Sequence, residues 1–119
     1  MAKWGTYFIL LTALILVFSP VACFSEEWYE KGTLHKSTIA DWKGSTSVNR
    51  LATAADWALA SSKKIKQNVI KSGTMDTAKN YGSELVTCIN GAVSDHTNWD
   101  HESSATVAIM CMQLMGWLK

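Results

Sequence analysis

The densest group of side chains able to bind a metal or move a proton is Asp95, His96, Asp100, His101 and Glu102. Imidazole and carboxylate together suit zinc and other divalent ions. Their spacing matches no established site: there is no HExxH, and the segment cannot be laid along one helix face. A solvated loop is the plain reading, with metal binding by the stretch from His96 to His101 as its alternative. His35 has no evident nucleophile beside it, and no GxSxG occurs among the many serines and threonines. A hydrolase triad cannot be assembled from such spacing. The sequence therefore names no catalytic residue and no cofactor.

Sulfur chemistry is more informative. Of the three cysteines, Cys23 lies in an apolar N-terminal stretch, which leaves Cys88 and Cys111 as an even pair. In an oxidising compartment such a pair reads as one disulfide. A metal pair or a reactive thiol is the weaker alternative, because no CxxC is present and no His falls at zinc-finger spacing. Met110, Met112 and Met115, with Trp117, could form an adaptable partner-binding face, since methionine fills varied shapes. The plain reading of that apolar stripe is core. The six tryptophans are scattered and make no platform for a sugar.

Residues 1–25 read as an export signal. Lys3 supplies a short positive region, an uncharged run follows from Phe8 to Phe18, and Pro20 to Ser25 offers small residues for a peptidase. Cleavage after Cys23 or after Ser25 fits. A lipoprotein modified at Cys23 is less favoured, because Pro20 stands where such signals usually carry Leu, and a retained anchor would need the whole run from Trp4. Removing residues 1–25 takes away Lys3 and no acid, so 11 Lys plus Arg become 10, against 10 Asp plus Glu. A net charge of zero argues against nucleic acid as a partner, and it gives no pull toward an anionic membrane. The expected localisation is periplasmic or secreted.

The elements that must position these residues are helices. Residues 47–71 form the longest periodic segment, with Leu51, Ala54, Ala55, Ala58, Ile65 and Val69 on one side. Ser47 is the expected N-cap, and Ser72-Gly73 the stop. The three alanines would let another helix approach closely. Before this helix, Thr38 and Asp41 match a capping box for a short helix bearing Ile39 and Trp42, ended by Gly44. Trp28 and Tyr29 read as a tether, and Gly32 as a break. After it, Thr74 should cap a helix over residues 75–93, in which Gly82 and Gly91 each weaken helicity by roughly 1 kcal/mol and suggest close helix contact. Ser103 or Ser104 should cap a last, largely apolar helix over residues 105–118. No useful β-alternation appears beyond the signal. The expectation is a single all-α domain over residues 26–119, a bundle of about four helices. The disulfide would make the last two an antiparallel hairpin, with α-carbons within ~7 Å.

Three stretches of the chain resemble the HdeA/HdeB family of periplasmic acid-stress chaperones: Thr38-Ile-Ala-Asp-Trp42 at a helix start, Leu51 to Ala60 in a small-residue helix, and Leu85-Val-Thr-Cys88 near a helix end. They lie within residues 38–88, a span of about half of the chain after the signal. The family pairs a cysteine at the first helix start with the later one; here Ile39 holds that position, and Cys111 would have to replace it. The resemblance implies a small homodimer that exposes apolar surface to clients when acid protonates its carboxylates. The function expected is a non-enzymatic binding protein with a protein partner or client. The alternatives are a periplasmic inhibitor or immunity protein, and an enzyme with no recognisable site.

Overall fold

The computed structural model describes residues 27–94 and 97–118, so the export signal expected over residues 1–25 lies outside the described residues, as do Asp95 and His96. The described chain is all-helical and carries one disulfide. Its five α-helices are α1 (Ile39–Lys43), α2 (Ser47–Ser61), α3 (Lys63–Ser72), α4 (Asp76–Val93) and α5 (Ser104–Leu114), with 3-10 turns at Trp28–Glu30 and Thr97–Trp99.

The capping box of α1 is present. The Thr38 hydroxyl accepts from the Asp41 N–H, and the Asp41 carboxylate accepts from the Thr38 N–H. Two further N–H groups at its start donate outward: Ile39 to the Glu102 carbonyl and Ala40 to that of Asp100. Those bonds satisfy helix-end donors that have no partner within the helix. They also anchor α1, whose Ile39 and Trp42 are fully buried.

The central helix is two helices. Ser62 leaves helical geometry (φ −124°, ψ 112°), and its hydroxyl accepts from the Ile65 N–H. Ser62 therefore ends α2 and caps α3. Serine offers the backbone a local partner, which favours caps over helix interiors. The break turns α3 back onto the bundle, burying Ile65 and letting the Asn68 amide donate to the Tyr81 hydroxyl at 2.9 Å. At the other end of α2 the N-cap is Thr46, one residue earlier than Ser47. The stop of α3 falls at Gly73, whose left-handed φ of 70° suits a residue without Cβ.

α2 and α4 form the main packing interface. A Cβ on Gly82 would lie 3.1 Å from the Ala55 N and from the Leu51 carbonyl oxygen, so glycine permits the approach. Gly91, also expected to mark close contact, faces open space. The N-terminal arm reaches α2 too: at Gly32 a Cβ would come within 2.9 Å of the Thr53 N. A polar stripe on α2 holds this arm. Asn49 bonds Thr33, Thr53 accepts from the Leu34 N–H, and Asp56 meets the His35 Nε2 at 2.8 Å. Positions 49, 53 and 56 share one helix face by their spacing. Trp57 is half-buried and stacks on the buried Trp42 at 5.8 Å.

Segments far apart in sequence meet. Thr38 and Ser103 form an isolated antiparallel bridge, the Ser104 N–H donates to the Ser37 carbonyl, and the fully buried Ser104 hydroxyl donates to the Thr38 carbonyl. Ser103 stands at the N-cap of α5 without a side-chain capping bond. Ser104, the other expected cap, ties α5 to the segment before α1 instead.

Candidate partner-binding face

α4 and α5 are joined by the Cys88–Cys111 disulfide, with α-carbons 6.0 Å apart. Both cysteines have left the titratable pool, so neither can serve as thiolate ligand or nucleophile while bridged. Beside the disulfide lies an apolar groove of about 90 Å³. α4 contributes Cys88, Ala92 and Val93, α5 contributes Val107, Met110, Cys111 and Leu114, and Trp99 also lines it. Among the described residues no charged side chain lines it.

The exposure around this groove is uneven. Leu114 is 84% exposed on its rim, and Met110 and Ile109 are also exposed. No acidic or basic residue lies between Glu102 and Lys119, so α5 presents an uncharged surface. Its outer face exposes Ile109, Met110 and Leu114, which no described residue covers. A helix apolar around most of its surface either is buried on several sides or meets a partner. Here the inner side is buried and part of the outer side is open.

The four expected partner-binding residues do not act as one face. Met110 is exposed and lines the groove. Met112 is buried at 1% exposure and belongs to the core, because it points inward from α5. Met115 and Trp117 are half-buried and pack against that core. The reason is a helix end: α5 stops at Leu114, short of residue 118, and Gly116 takes a left-handed φ of 76°. The Trp117 N–H donates to the Met112 carbonyl and that of Gly116 to the Gln113 carbonyl, a Schellman motif. The reversal lays Trp117 edge-on against Tyr81 at 5.5 Å. Leu114 and Ala92 were not among the expected binding residues: the pattern carried the last helix past Gly116, and Ala92 lies on α4, outside the Met-rich stripe. Glycine followed by an aromatic was the available stop signal.

The acidic-histidine segment is placed only in part. The Asp100 carboxylate accepts from the Lys43 Nζ at 2.8 Å, while His101 and Glu102 are exposed. Among the described residues no group of three His, Cys, Asp or Glu side chains is placed to hold a metal ion. No helix among them is long and apolar enough to cross a membrane. Comparison with protein-family models, with curated proteins and with solved structures returns no match.

Proposed function

We propose that this is a small exported, non-enzymatic protein that binds a protein partner or client through the apolar face of α4 and α5. The observation that carries the reading is Leu114, 84% exposed on the rim of a groove with no charged lining. Desolvating such a face on binding is favourable at about 25 cal/mol per Å² of apolar surface. A catalytic site would instead need convergent titratable groups. Client protection under acid stress is the specific form suggested by the resemblance at Thr38–Trp42, Leu51–Ala60 and Leu85–Cys88. Acid would leave a large positive charge and loosen the bundle, widening the apolar face. Nucleic acid and membrane are not partners in this reading.

The second reading is an inhibitor or immunity-type protein with one fixed partner. It is favoured by the groove being formed already in the folded chain, with no need for acid. One experiment separates the two. The purified protein, held at about pH 2–3 with an unrelated periplasmic protein, should keep that client soluble through a return to neutral pH. The Leu114→Ser variant should protect less, because the residue is exposed and its replacement leaves the core intact. Absence of protection at molar excess rejects the chaperone form and leaves the fixed partner.

A further inference from the structure

Arg50 is the only arginine in the chain, beside ten lysines and three histidines. It sits in the first turn of α2, and its Nε is buried without a hydrogen-bond partner among the described residues. The His35–Asp56 hydrogen bond and the Lys43–Asp100 ion pair do not involve it. A buried N–H without an acceptor carries a desolvation penalty, and for a charged donor that penalty is larger.

Arg50 lines a second pocket, of about 280 Å³, with Lys43, Asn90, Val93 and Ser94. The Asn90 amide is oriented by its neighbour. Trp42 Nε1 can only donate, so the atom it meets at 2.9 Å is the amide oxygen. Asn90 thereby keeps its NH₂ for another acceptor. The Ser94 hydroxyl reaches the Gly91 carbonyl only at 3.4 Å, the outer limit of a bond. Lys43 is engaged by Asp100, so among the described residues lining the pocket the guanidinium is the cation without a carboxylate partner.

We propose that this pocket binds one carboxylate, held by Arg50 with Asn90 and Ser94. The planar guanidinium fork matches a carboxylate in shape, and the charges cancel one to one. A phosphate, with nearly two charges, would leave excess negative charge beside Asp100 and the C-terminal carbonyls of α4. Val93 lines both this pocket and the apolar groove, so the ligand class is a carboxylate next to an apolar group. The apolar half rests on the binding reading above; the Arg50 site does not. The same chemistry could come from a free small acid or from the end of a polypeptide.

The test uses the single Arg50 Nε–H signal in the ¹⁵N-labelled protein. Sodium acetate and N-acetyl-leucine should each shift it saturably, and N-acetyl-leucinamide should not. Tighter binding of N-acetyl-leucine, by several-fold, supports a chain end; equal affinity supports a small free acid. Arg50→Gln, checked for folding by circular dichroism, should lose the acetate response of the Asn90 side-chain amide. Absence of a saturable shift with either carboxylate overturns the proposal, as does tighter binding of inorganic phosphate than of acetate. Retained acetate binding in folded Arg50→Gln overturns it too. Failure of client protection at low pH would leave this result untouched.

Discussion

Two glycines in one helix make opposite demands. Gly82 of α4 faces the Ala55 N and the Leu51 carbonyl at distances tighter than a Cβ usually finds, and both are backbone atoms that cannot swing away. Alanine there gains roughly 1 kcal/mol of helix propensity. It loses more to overpacking, which costs about 1–3 kcal/mol. Gly82→Ala should therefore lower stability by about 1 kcal/mol in a denaturant melt, and a rise would show that the interface relaxes. Gly91, in the last turn of the same helix, meets nothing within 4 Å. Gly91→Ala should raise stability by about 0.5 kcal/mol, since only propensity and unfolded-state entropy are at stake. Loss of stability there would place a neighbour against that face.

At the scale of elements, the break at Ser62 and the bridge between α4 and α5 decide the shape of the bundle. Ser62→Ala removes the acceptor for the Ile65 N–H, which should cost about 1 kcal/mol as for other N-caps. Amide exchange at Ile65 and Lys66 should accelerate, while that in the middle of α4 changes only with global stability. Unchanged exchange at those two sites would mean that α3 does not depend on its cap. Replacing both cysteines by serine removes the crosslink between positions 23 apart in sequence. By the chain-entropy model that lowers stability by about 3 kcal/mol. The same double variant loosens the wall of the apolar groove, so client or partner binding should weaken together with stability. Unaltered melting of the double variant would show that helix packing alone holds α5 in place.

At the scale of the whole molecule, residues far apart in sequence close the fold. Ser104 is fully buried and donates to the Thr38 carbonyl, and its hydroxyl also shares a hydrogen bond with that of Ser37. The arm before α1 is bonded to α2, and α1 itself to the loop before α5. Each element thus leans on another distant in sequence, so unfolding should be one cooperative event. Far-ultraviolet circular dichroism and tryptophan fluorescence should report coincident transitions. Ser104→Ala should move both by the same amount, losing about 1–2 kcal/mol through a broken buried network. Separate midpoints for the two probes would show that α1 and α5 come apart before the α2–α4 core.

Helix class, the capping box at Thr38, the left-handed stop at Gly73 and the pairing of Cys88 with Cys111 were legible from the sequence, because each rests on local stereochemistry or on simple pairing. Periodicity carried the central helix through Ser62, since its apolar stripe continues across the break. Only the turn of α3 toward Tyr81 favours a cap at that point over an uninterrupted helix. The division of the methionines was also beyond the pattern. Met110 and Met112 are two positions apart on a nearly all-apolar helix, and which one faces α4 depends on where the disulfide and the Schellman turn fix the helix. The groove beside Leu114 and the pocket at Arg50 are likewise tertiary. Each is a space between elements, and spacing along one chain specifies faces, whereas a space exists only once those faces are brought together.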